Sequence, residues 1–151
     1  MKILLVCLGN ICRSPMAEGV LRHLAKQRGL VIETDSAGTG DYHVGEAPDH
    51  RAQAAMLRMG IDISDLRARQ FTAEDFDRFD LLFAMDADNL QNMLRLAPSP
   101  ELARKASLIM DRAPGHPHRE VPDPYFGGDE GFDKVHAMLN EACERLLDDG
   151  R

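Results

Sequence analysis

The chain has 151 residues, 44% hydrophobic and 28% charged, with a formal net charge of −7. That length suits one domain, residues 1–151, whose core needs no disulfide staples. No apolar run approaches the ~20 residues of a membrane-spanning helix, and no Lys/Arg cluster offers nucleic acid a basic face. Three cysteines, two of them five positions apart, make no disulfide framework. The opening apolar run is too short for a signal peptide. Reduced working thiols and a cytoplasmic location are expected.

The elements alternate along the chain. Lys2–Val6 reads as a short buried strand. A helix is predicted over Pro15–Arg28, with Ser14 able to cap it, Pro15 in its first turn and Gly29 past its end. Its apolar positions Met16, Val20, Leu21 and Leu24 keep a helical stripe. Leu30–Thr34 reads as a second strand, and a loop then leads to a helix over Pro48–Met59. Leu81–Met85 is the third predicted strand. Asp86–Leu96 and Pro98–Lys105 read as helical, and Ser107–Met110 as a fourth strand. A long loop, "DRAPGHPHREVPDPYFGGDEG", carries four prolines and four glycines before a last helix over Phe132–Leu147. Strands alternating with helices predict a three-layer α/β fold: a four-stranded parallel sheet covered on both faces. Ligands of such sheets bind beyond the carboxyl ends of the strands.

The stretch "VCLGNICRSPMAEG" sits at such an end. Cys7 to Arg13 spells C-x5-R between a strand and a helix. The intervening residues Leu8, Gly9, Asn10, Ile11 and Cys12 can curl so that backbone N–H groups converge on an anion at the helix start. Gly9 permits the positive φ such a loop needs, and Asn10 tolerates it. Arg13 can fork two hydrogen bonds onto a tetrahedral oxyanion. The positive potential there favours the thiolate of Cys7, and Ser14 can donate to its sulfur. A thiolate facing a bound phosphate is a nucleophile for phosphoryl transfer. A bare C-x5-R arises by chance in many chains; here the strand before it, the inner Gly and the Ser-Pro helix start set it apart. Asp123 in "PDPYFGG" is the candidate proton donor. Read alone, an Asp before Pro only starts a turn. His116 and His118 make too weak a set for a metal, so no metal and no cofactor are predicted. Cys143 reads as plain packing in the last helix.

"VCLGNICRSPMAEG" closely resembles the signature of the low-molecular-weight protein tyrosine phosphatases. The likeness continues through "DSAGTGDYHVGEAPDHRA", "RARQFTAEDFDRFDLLFAMDADNL" and "DPYFGG", in order along nearly the whole chain. It implies hydrolysis of protein phosphotyrosine and small aryl phosphates through a phosphocysteine. Cys7 would be the nucleophile, Arg13 the phosphate clamp and Asp123 the general acid and base. Asn10 would hold the loop through neighbours that include Ser36, Tyr42 and Tyr125 would wall the cleft with Ile11, and Asp86 would support the site without catalysing. Cys12 either packs or forms a disulfide with Cys7 under oxidation. The implied partners are phosphotyrosine proteins and oxyanions, with no nucleic acid or membrane, and a monomer.

Related activities are separable. Arsenate reductases of similar shape need a further cysteine pair, and after Cys12 only Cys143 remains. Arginine phosphatases of the family have Thr where this chain has Ile11, an apolar wall suited to a phenyl ring. Tyr42 resembles the eukaryotic-like branch. In the sequence "LRARQ", Leu66 stands where many members have a histidine that reaches the serine matching Ser14. Ser14 must then find another partner or a water, or, if the alignment slips by one or two residues, Asp65 fills the role.

Overall fold

A computed structural model describes residues 1–149 of the chain. The strands are β1 (Lys2–Cys7), β2 (Glu33–Gly38), β3 (Leu81–Ala84) and β4 (Ala106–Leu108). They form one parallel sheet in the order β2-β1-β3-β4. The helices are α1 (Arg13–Gln27), α2 (His50–Arg58), α3 (Asp75–Arg78), α4 (Ala87–Leu94), α5 (Pro100–Ala103) and α6 (Asp129–Asp149).

Alternation along the central strands builds two cores. Ile3, Leu5 and Cys7 of β1, with Phe83 of β3, face a cluster filled by α1, α2 and α6. Leu4 and Val6, with Leu82 and Ala84, face a smaller one closed by Phe71, Phe76, Phe79 and Met93. The expected three layers are therefore present. They aim the carboxyl ends of β1 and β3 at one edge of the molecule, since Val6 pairs with Ala84 and Cys7 with Gly38.

Several expected boundaries move. The second strand is not Leu30–Thr34 but Glu33–Gly38. Its sequence ETDSAG has no apolar run, because at the sheet edge backbone pairing to β1 and not side-chain burial recruits it. The apolar Leu30 and Val31 stay outside, 42% and 93% exposed. The fourth strand ends at Leu108, and Ile109–Arg112 tighten into a 3-10 turn. The last helix starts earlier than expected, at Asp129, with Asp129 and Glu130 favourable at its positive end. The short α3 had no apolar period to announce it.

Candidate active site

The loop of residues 8–12 joins β1 directly to α1. Its turn rests on Asn10, whose φ is +57°, the one positive φ of a non-glycine among the described residues. The left-handed residue is thus Asn10 and not Gly9. Gly9 instead gives room: a Cβ there would meet the His43 ring at 3.1 Å. Gly38 at the end of β2 is needed for a similar reason, since a Cβ would lie 2.7 Å from the Leu8 carbonyl oxygen. The loop is tied to that strand end by the N–H groups of Thr39 and Gly40, which donate to the carbonyls of Cys7 and Leu8.

Cys7 lies at the floor, 3% exposed. The Asn10 N–H donates to its Sγ at 3.2 Å, and the Ser14 hydroxyl lies 3.0 Å away. The N–H groups of Leu8, Gly9, Ile11, Cys12 and Arg13 find no backbone acceptor among the described residues. They belong to the loop and first residue at the start of α1, where the helix dipole adds positive potential. Ser14 does not cap α1. Cys12 occupies that position without a side-chain cap, and the Ser14 hydroxyl, inside the first turn, is turned toward the sulfur.

A hydrogen-bond relay limits where that hydroxyl can donate. The Arg69 backbone N–H donates to Asn10 Oδ1 at 3.0 Å, so the amide presents its Nδ2 to Ser14 Oγ at 2.7 Å. The Ser14 oxygen is then an acceptor from Asn10, and its own proton points to Cys7 Sγ or, at 3.5 Å, to the Ala37 carbonyl. Leu66 packs half-buried against the larger core and takes no part. Asp65 does not substitute for the missing histidine either, because both its oxygens bind Arg22. Ser36 also differs from expectation. Its hydroxyl donates 2.8 Å to the buried Glu18 carboxylate and not to Asn10.

Arg13 is 3% exposed, and a buried guanidinium needs partners. Its Nη1 donates to Asp86 at 2.6 Å and to the Val121 carbonyl at 3.1 Å. Burial works against the Arg13 charge, but the neighbouring Cys7, Asp86 and Asp123 outweigh it and raise the guanidinium pKa. Asp86 is held in turn by capping α4, accepting from the Asn89 N–H at 2.8 Å. One edge of the guanidinium is therefore anchored. Nε carries no protein hydrogen bond among the described residues, and Nη2 has only Asp123 Oδ2 at 3.9 Å.

Asp123 stands opposite, on the long loop, with Oδ1 accepting from the Tyr125 N–H at 3.0 Å. Arg51 of α2 secures this loop, donating to the Tyr125 carbonyl at 2.8 Å and the Gly127 carbonyl at 3.2 Å. Its guanidinium also lies over the Tyr125 and Phe132 rings at 5.5 and 4.8 Å. Together these groups enclose a cavity of about 160 Å³ lined by Cys7, Arg13, Asp123, Ile11, Tyr42 and Tyr125, with Leu8, Gly9 and Cys12. Cys12 is pushed up to about 12 by burial, with Asp49, Cys7 and Asp123 adding to it, so its thiol keeps its proton at neutral pH.

His43 and Phe126 line the same cavity but were not singled out in the sequence. Neither were Arg51 and Arg69. Arg51 had one readable signal: a cation in the first turn of a helix opposes the dipole and needs an outside partner. Arg69 had none, since it acts through its backbone.

Known proteins resemble this chain in sequence and in fold. The model of the family described as low molecular weight phosphotyrosine protein phosphatase matches residues 2–149. A low molecular weight protein-tyrosine-phosphatase of Streptomyces coelicolor is 43% identical, over 97% of this chain and 91% of its own. The crystal structure of a protein tyrosine phosphatase from Entamoeba histolytica, with Hepes in the active site, superposes with a TM-score of 0.93 at 40% identity. It covers 97% of this chain and 94% of its own. A Drosophila arginine phosphatase reaches the same TM-score of 0.93 at 36% identity, over 100% and 98% of the two chains. The chain belongs to the low molecular weight phosphotyrosine protein phosphatase family.

Proposed function

We propose that this chain hydrolyses phosphotyrosine in proteins, and small aryl phosphates, through a phosphocysteine on Cys7. The observation that carries the reading is the loop between Cys7 and Arg13: the N–H groups of Leu8, Gly9, Ile11, Cys12 and Arg13 have no backbone acceptor among the described residues, the Asn10 N–H donates to Cys7 Sγ, and one edge of Arg13 is unanchored. A phosphate dianion seated there would place its equatorial oxygens on the N–H groups and on Arg13 Nε and Nη2.

Cys7 thiolate attacks phosphorus in line with the ester oxygen. The P–O bond to the phenol breaks as the S–P bond forms, and Asp123 gives its proton to the departing oxygen. Water then attacks the phosphocysteine, losing a proton to the Asp123 carboxylate. The S–P bond breaks, phosphate leaves and the thiolate returns. Ser14 steadies that sulfur as leaving group by the hydrogen bond that Asn10 directs. The cavity of about 160 Å³ lies below the ~300–1,000 Å³ of drug-sized sites, which suits one phosphorylated side chain. Tyr42, Tyr125 and Ile11 offer a phenyl ring aromatic and apolar walls.

The finer expectations belong to the same proposal. Three cysteines that make no disulfide framework support a reducing compartment such as the cytoplasm. Among the described residues no helix is long and apolar enough to cross a membrane. A reversible Cys7–Cys12 disulfide under oxidation, soluble oxyanions as ligands, a monomeric state and no role for nucleic acid complete the reading. Turnover of an aryl phosphate, phosphotyrosine peptides and phosphoarginine, measured side by side, tests it. Hydrolysis of the first two, lost in Cys7→Ser, is expected. Faster phosphoarginine turnover, or activity retained without Cys7, would overturn it.

A further inference from the structure

At the opposite end of the sheet a second cavity, of about 310 Å³, opens beside the amino ends of β1 and β3. Ile3, Leu81, Leu146 and Leu147 wall it, and Leu30, Val31 and Ile32 rim it. This is twice the catalytic cavity and enters the ~300–1,000 Å³ range of small-molecule sites. The rim is the apolar run that reads as a strand in the sequence but stays out of the sheet, leaving Val31 93% exposed. Consecutive exposed apolar side chains around a concave apolar wall are costly in water unless something covers them.

One charged side chain lines the cavity, Arg112. It is half-buried, stacked at 5.2 Å over the fully buried Phe83 ring. No carboxylate of the described residues lies within 4.0 Å of its guanidinium. Met1 lines the cavity as well. A partly desolvated guanidinium with open donors favours a planar anion that takes both prongs of its fork. A carboxylate is such an anion: planar, with two oxygens spaced for the two prongs.

We propose that this cavity binds an amphiphilic carboxylate, with a short acyl chain or single ring among Ile3, Leu81, Leu146 and Leu147 and its head group on Arg112. The site is remote from Cys7 and independent of the phosphatase reading.

Calorimetric titration with sodium decanoate below its micellar concentration, and with decanol as its neutral counterpart, tests this. The wild-type chain is expected to bind one equivalent of decanoate, undisturbed by saturating inorganic phosphate. Arg112→Gln should weaken decanoate about tenfold and leave decanol within about twofold. Val31→Asp, at an exposed position, should weaken both. Aryl phosphate turnover unchanged in both variants would confirm that they fold. Absence of binding, displacement by phosphate, or equal loss of decanoate and decanol in Arg112→Gln would overturn the proposal. So would self-association of the free protein that Val31→Asp abolishes, since the occupant would then be a second copy.

Discussion

Asn10 carries more of the site than its size suggests. It takes the left-handed turn, donates its N–H to Cys7 and passes the Arg69 hydrogen bond on to Ser14. Replacing it by Ala should cost about 2–5 kcal/mol, from the strained backbone and two lost side-chain hydrogen bonds. Asn10→Gly relieves the backbone but not the relay. In urea unfolding the Gly variant should recover part of the stability, while kcat stays at least about tenfold down in both. Full kcat in Asn10→Gly would remove the relay from the chemistry. Asp123 makes a second prediction at this scale. Asp123→Ala should lower turnover about 10²–10⁴-fold for esters of poorly acidic phenols and much less for good leaving groups. Equal loss across a series of phenols would exclude it as the acid. Sequence reading could place Cys7 and Arg13 because both sit in one short loop whose ends are fixed by a strand and a helix. It could not decide between Gly9 and Asn10 for the positive φ, since both tolerate it. It could not foresee Ser14 leaving the cap position, because the pull comes from Cys7 and Asn10 across the turn.

At the scale of elements, the site is a meeting of β1, α1, the start of α4 and the long loop before α6. Asp86 joins two of them: one oxygen caps α4 and the other anchors Arg13. The loop bearing Asp123 has few apolar anchors, and Arg51 reaches it from α2 through two carbonyls and a ring. Arg51→Ala should therefore let Asp123 drift. We expect kcat/KM for aryl phosphates to fall about tenfold, with hydrogen exchange faster over residues 122–128 and the melting temperature moved only a few degrees. Unchanged exchange in that segment would contradict the tether. The strands show why elements were unevenly legible. β1 and β3 are central, buried on both faces, and read as apolar runs. β2 lies at the edge, where Thr34, Asp35 and Ser36 suffice, and the apolar Leu30 and Val31 beside it drew the expectation away.

Across the whole molecule, the polar groups behind the catalytic loop link stability to pH. Glu18 lies in α1, 5% exposed, with Ser36 and Thr34 donating to it. Burial raises its pKa above the ordinary 4.5, with Asp35 adding to the rise. The folded state then holds a proton that the unfolded chain has released, so this contribution is full below 4.5 and is lost as pH climbs through the raised value. Glu18→Gln keeps an acceptor for Ser36 without the charge. It should match the wild type near pH ~4 and exceed it near pH ~8 in urea unfolding; parallel stability–pH curves would refute the account. The parallel sheet gathers the remaining parts, since loops from β1 and β3 must emerge at the same edge. That much followed from the alternation of elements, whereas the contacts of Arg69 and Arg51 depend on backbone atoms that no residue pattern displays. The central claim is that phosphate passes through Cys7, and rapid-quench mass spectrometry with an aryl phosphate tests it most directly. Wild-type enzyme should give a burst of phenol matched by a phosphate adduct on Cys7, absent in Cys7→Ser. Turnover with no adduct, or an adduct on any other residue, would contradict it.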